Sequence, residues 1–225
     1  MTGESREEAA GRLAAIKDRI ARAARDADRK ADDVSLIAVS KTYERPQIES
    51  LIEAGHRLFG ENRVQEAQSK WPTLRDAHPD VSLHLVGQLQ SNKAADAVAL
   101  FDAIHSLDRP ALLTALARAM DKSGRRPACF LQVNIGEEAQ KGGCAIAEVP
   151  GLIAEARAAD LPLAGLMCIP PADVEAAPYF ALLAKIARDN GLAGLSMGMS
   201  GDFETAVMLG ATHVRIGTAL FGARQ

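Results

Sequence analysis

Cysteine is scarce in this chain. Cys129, Cys144 and Cys168 are odd in number, widely spaced and form no C-x-x-C pair. That argues against a disulfide framework and a cysteine zinc site, and it suits a reducing cytosol. The five histidines show no metal-ligand spacing either. Charge of one sign is lacking too: the net value is −3 and the sequence pI about 6.0, which leaves no electrostatic case for nucleic acid or an anionic membrane. No apolar run approaches the roughly 20 residues that span a bilayer. The charged stretch Met1–Glu8 lacks the apolar centre of a signal peptide. A soluble cytoplasmic protein without nucleic-acid or membrane partners is expected.

What is present is a core and a rhythm. The chain has 225 residues, 48% of them hydrophobic, enough for one large domain or two small ones. Ser5 and Glu8 have the form of a capping box, and Leu13, Ile16 and Ile20 then recur at helical spacing. This extra N-terminal helix is expected to cover one end of the remaining fold. After it, short apolar runs alternate with helical patterns. Strands are expected at Leu36–Ser40, Arg57–Gly60, Leu83–Val86, Ala103–His105, Cys129–Val133, Leu163–Met167, Leu195–Met197 and His213–Ile216. The intervening helices include Pro46–Ala54, Val64–Ala77, Pro110–Met120, Ala177–Arg188 and Ser200–Leu209, with a last short one from Thr218 to Gly222. Strand–helix alternation means parallel βαβ units, and eight of them close a (β/α)8 TIM barrel. A doubly wound open sheet is the alternative, but eight regular units and the lack of G-x-G-x-x-G weigh against it. No long polar linker interrupts residues 1–225, so a single domain is expected.

In such a barrel functional groups gather at the carboxyl ends of the strands. The first strand, Leu36–Ser40, delivers Lys41 to that position. A lysine there either snorkels to water or sits partly desolvated as a usable amine. The second strand delivers Glu61 and Asn62, the third Gly87 and the polar run Gln88–Lys93, and the fifth Asn134. The seventh brings Met199, Ser200 and Gly201, and the eighth Gly217 and Thr218. Ser200-Gly201 and Gly217-Thr218 each open a helix and offer free N–H groups and a hydroxyl, which together suit an anion such as phosphate. Ser200 as an ordinary helix cap and Gly217 as an ordinary turn is the plainer alternative. Arg215 shares the alternation of His213 and Gly217. Facing the barrel interior it needs an acceptor, a heteroaromatic ring nitrogen or a carboxylate; facing outward it would pair with an acid. An amine, an anion cradle and a donor between them suit a phosphorylated aldehyde captured by Lys41, with pyridoxal 5'-phosphate (PLP) the natural candidate.

Six segments carry a resemblance: AVSKT (38–42), FGENRVQEA (59–67), GQLQSNK (87–93), VNIGEEAQKGG (133–143), GLMCIPP (165–171) and LSMGMSGDFETAVMLGATHVRIGTALFGAR (195–224). The chain resembles the YggS/PROSC pyridoxal-phosphate homeostasis family over nearly its whole length after the first helix. The resemblance implies a PLP barrel of fold type III, similar to the N-terminal domain of alanine racemase. It implies Lys41 as the Schiff-base lysine and Ser200, Gly201, Gly217 and Thr218 around the phosphate. Arg215 would face the ring nitrogen, with Asn62 and Met199 near the cofactor. Arg63 follows Asn62 where an aromatic residue is common, a departure at the mouth of the site. The family implies a PLP carrier or buffer in vitamin B6 balance, with apo-enzymes as possible recipients. A PLP-dependent amino-acid racemase is the alternative, and a barrel binding another phosphorylated metabolite non-covalently is a third. Racemization needs a second acid/base opposite the lysine, which in the resembling racemase comes from an additional β-domain. Only Tyr43 and Tyr179 exist here, the sequence stops soon after the eighth unit, and His84 or Glu61 remain as candidate bases. A monomer is expected.

Overall fold

The computed structural model of the protein describes residues 6–222. Eight strands succeed one another: β1 (Ser35–Val39), β2 (Leu58–Glu61), β3 (Ser82–Leu85), β4 (Ala103–Leu107), β5 (Ala128–Val133), β6 (Leu163–Cys168), β7 (Gly194–Ser196) and β8 (His213–Ile216). Each pairs in parallel with the next, and β8 returns to β1 with Ile37 beside Arg215 and Ala38 beside Ile216. The sheet is a closed barrel, so it has no free edge.

A helix comes after each strand: α2 (Arg45–Glu53), α3 (Val64–Ala77), α4 (Ala94–Leu100), α5 (Pro110–Ser123), α6 (Val149–Ala158), α7 (Ala177–Asp189), α8 (Phe203–Met208) and α9 (Thr218–Phe221). Proline at the first or second position starts α2, α5, α6 and α7, where its missing N–H costs nothing and its φ is already helical. The expected extra helix is α1 (Arg6–Asp26), which buries Leu13, Ile16 and Ile20 against the outer helices α8, α9 and α2. The expected cap residue Ser5 lies outside the described residues.

Two apolar regions result. The larger lies between strands and helices and takes in Leu36 and Ala38 of β1. The smaller, Ile37, Val39 and Val86 with Leu58, fills part of the barrel's inside. Odd-numbered residues of β1 therefore face inward, which puts Lys41 on the inner side at the strand's carboxyl end. No helix among the described residues is long and apolar enough to cross a membrane.

One element departs from expectation. The helix expected from Ser200 runs only over Phe203–Met208, with Asp202 at its N-terminal boundary and no side-chain hydrogen bond to the first turn. Asp202 Oδ1 accepts the Met199 N–H at 2.6 Å, and the Met199 carbonyl accepts the N–H groups of Asp202 and Phe203. The Asp202 carboxylate folds back onto the Met199 N–H, so residues 199–202 close as a turn before the helix begins. Ser200 is thus in the preceding turn and is no helix cap.

Candidate functional site

The expected groups gather at the carboxyl end of the barrel. Lys41 is half-buried in the turn after β1, and its ammonium has no hydrogen-bond or ion-pair partner among the described residues. Gly217 packs on β1: a Cβ placed there would come within 3.3 Å of the Val39 carbonyl oxygen, two residues before Lys41. Thr218 opens α9, and neither its N–H nor that of Ala219 meets a backbone acceptor among the described residues. The N–H groups of Ser200 and Gly201 are likewise unclaimed, and a Cβ at Gly201 would meet nothing within 4 Å. Four unclaimed amides and the hydroxyls of Ser200 and Thr218 thus lie just past the carboxyl ends of the neighbouring strands β7 and β8.

Arg215 faces inward and is buried. Its two terminal nitrogens donate to Ser196 Oγ at 2.7 Å and to the Cys168 carbonyl at 2.8 Å. Guanidinium has five N–H donors, so donors remain for another acceptor. No carboxylate pairs with it among the described residues. Burial pushes its pKa down, with the charges of Cys168 and Asp202 acting in the other direction. A buried cation with spare donors and only neutral partners fits an acceptor entering from the mouth.

Behind Arg215 lies a polar chain that sequence reasoning missed. His105 Nδ1 is 2.8 Å from Ser196 Oγ, and His105 Nε2 is 3.0 Å from His84 Nδ1. Arginine only donates, so Ser196 accepts from it, which leaves the Ser196 hydroxyl proton free to point toward His105 Nδ1. With that orientation His105 donates from Nε2 to His84 Nδ1, an arrangement in which both imidazoles are neutral. Burial drives the same way: it lowers His84 to about 4, with the charge of His213 adding to the effect, and holds His105 well below the usual histidine range. His213 is lowered to about 4 by burial and by Arg215. The lumen thus keeps one permanent cation among uncharged rings.

Asn62 comes after Leu58 and Gly60 on the inner side of β2, at the mouth. Its position depends on Gly87, where a Cβ would collide with the Asn62 carbonyl oxygen. Met199 is 38% exposed, on the rim of a surface pocket shared with Gly201, Pro171, Val174 and Lys141. Of the candidate bases, none is directed at the amine. Glu61 is on the outer side of β2, bonded to Trp71, Ser40 and Lys70. Tyr43 stacks on Phe221 at 4.5 Å and donates to the Gly222 carbonyl. His84 is taken up by His105, and Tyr179 lies on α7. No cluster of three or more potential metal ligands exists among the described residues.

Comparison with known proteins matches residues 12–225 to the family model described as alanine racemase, N-terminal domain. A protein of Pseudomonas aeruginosa named pyridoxal phosphate homeostasis protein is 42% identical over 226 residues, covering 95% of this chain and 94% of its own. The protein of the same name from Escherichia coli K12 is 37% identical over 231 residues, covering 95% of both. The structure of PipY from Synechococcus elongatus PCC7942 with PLP bound superimposes with a TM-score of 0.84 at 37% identity, over 95% of this chain and all of that one.

Proposed function

The chain belongs to the alanine racemase N-terminal-domain family, and from that premise we propose that it binds PLP and serves its homeostasis as a carrier or buffer. The observation that carries the reading is the juxtaposition, at one barrel mouth, of an unpaired lysine, four unclaimed amides and a buried arginine without an acidic partner. When bound, PLP supplies an aldehyde that an amine can capture, a phosphate and a ring nitrogen. Lys41 is assigned to the aldehyde, Ser200, Gly201, Gly217 and Thr218 to the phosphate, and Arg215 to the ring nitrogen, with Asn62 and Met199 at the rim. Arg215 keeps its proton although burial pushes its pKa down, because a guanidinium does not deprotonate in proteins. It can donate a hydrogen bond to the ring nitrogen but does not protonate it, and the neutral Ser196–His105–His84 chain offers no acid behind it. Residues 1–225 act as one domain, in the cytoplasm and as a monomer, with PLP-requiring apo-enzymes as recipients. The racemase alternative gains nothing from the geometry, because Tyr43, Glu61 and His84 are each engaged elsewhere.

The test is a PLP titration followed by visible absorption, in the wild-type protein and Lys41→Ala, with D- and L-amino acids then added. A band of bound cofactor in the wild type only, with the optical activity of the amino acids preserved, is the expected result. A band that persists in Lys41→Ala, or loss of optical rotation well above the rate with free PLP, would overturn the reading.

A further inference from the structure

Lys41 sits in a four-residue turn, Ser40–Tyr43, whose backbone is held from outside the barrel. Lys70 of α3 is buried, and its Nζ donates to the carbonyls of Ser40 at 3.1 Å and Tyr43 at 3.3 Å. These carbonyls flank Lys41 on either side. Glu66, one helical turn before Lys70, accepts the Thr42 N–H through Oε1 at 2.6 Å and pairs with Lys70 at 2.9 Å. Glu61 completes the group: its Oε1 is 2.8 Å from Lys70 Nζ and accepts Ser40 Oγ–H at 2.7 Å. Polar backbone atoms of Ser40, Thr42 and Tyr43 thus end on two charged side chains of a single helix.

The turn needs that support. Thr42 has φ +65°, a left-handed conformation that a β-branched residue adopts only under strain. The N–H that it presents there is the one Glu66 receives. Burial raises the Glu66 pKa, but the hydrogen bonds from Lys70 and Thr42 and the charges of Lys70 and Arg63 outweigh it, so Glu66 is a carboxylate well below neutrality. Two carboxylate side chains thus flank one buried ammonium. Lys41 itself contributes nothing to the arrangement: its flanks are pinned and its side chain is left free.

We propose that Lys70, clamped between Glu61 and Glu66, positions the Lys41 amine for capture of an aldehyde, by holding the strained turn from the helix layer. Lys70 and Glu66 are positioning residues, since both bond the turn's backbone and neither bonds the Lys41 amine. The inference rests on the reading of Lys41 as the PLP-capturing amine. A displacement of about 1 Å at a reacting group can cost up to about a hundredfold in rate, so a loosened turn is visible in the kinetics of capture before it is visible in stability.

Lys70→Met leaves Glu61 buried without its cation and is a poor test. Glu66→Ala and Glu66→Gln are better, because Glu66 is partly exposed and Gln keeps an oxygen for Thr42 and Lys70. The rate of PLP capture is followed by visible absorption, beside the affinity for pyridoxamine 5'-phosphate, which has the phosphate but no aldehyde. Urea midpoints are measured on the same samples. The expected result is capture slowed about tenfold or more in Glu66→Ala, recovered to within about threefold by Glu66→Gln, with pyridoxamine phosphate bound equally by all three proteins. Capture at the wild-type rate in Glu66→Ala overturns the inference while leaving the Lys41 assignment standing. An equal loss for both ligands overturns it too, since that would be general damage to the site. A wild-type protein that captures no PLP overturns the Lys41 reading and this inference with it.

Discussion

Acidification from pH 7 to pH 5 is expected to remove a large part of the protein's stability through imidazoles buried neutral. His84, His213 and His56 are each lowered to about 4, mainly by burial. In the unfolded chain a histidine titrates near 6.5. Between those values the unfolded chain binds more protons than the folded one, so stability is full above about pH 6.5 and falls as pH drops toward 4. At pH 5 one such group contributes about 2 kcal/mol less than at neutral pH. His84 and His213 are not independent, because the charge of one is a cause of the shift in the other. Taking about 3 kcal/mol for that pair and about 2 for His56 gives about 5 kcal/mol, comparable with the whole stability of a marginal domain. Carboxylates held low by their partners, such as Glu66 and Asp102, act in a different window. Their contribution is present above about pH 4 and is lost only as pH falls through their depressed values. The assay is urea unfolding at pH 7.5, 6.0 and 5.0 in fixed salt, on the wild type and His84→Asn. The variant is expected to show a pH dependence smaller by about 1 kcal/mol, because His213 keeps its own shift. Stability constant to within about 1 kcal/mol over this range, or the same slope in both proteins, would refute the neutral-imidazole account.

The packing predicts two other outcomes. Ser196→Ala leaves a donor of Arg215 and His105 Nδ1 without their shared partner, and urea unfolding is expected to show a loss of about 1–3 kcal/mol. Cys129, Cys144 and Cys168 are buried, and burial pushes each thiol up to about 12. A thiol-specific disulfide reagent at pH 8 is therefore expected to label none of them in the folded protein and all three in urea.

The barrel was legible because its signals are local. Apolar runs such as Leu36–Val39 and proline-led helix starts mark each βαβ unit without reference to the others. Lys41 and Arg215 were legible because both stand where an alternating strand meets a loop. Four features differ from the sequence reading or escape it, each for a physical reason. The helix after β7 starts later because Asp202 closes a turn back onto the Met199 N–H, and the string Ser-Gly-Asp-Phe fits a helix start at either place. Glu61 was a candidate base, yet Leu58, Gly60 and Asn62 take the inner side of β2, so strict alternation sends Glu61 outward. That signal was available in the sequence. The chain from Arg215 through Ser196 and His105 to His84 was not, because it joins four strands that sequence spacing does not relate. Lys70 was hidden differently: on an amphipathic helix it reads as a surface lysine until the turn at Ser40–Tyr43 is seen to close over it.

The most direct measurement is borohydride reduction of the PLP-loaded protein followed by peptide mapping by mass spectrometry. One PLP-sized adduct on the peptide carrying Lys41, absent after the same treatment of Lys41→Ala, is the expected result. An adduct on Lys93 or Lys141 with Lys41 unmodified would contradict the account, because the cradle of Gly201, Gly217 and Thr218 would then serve a different amine.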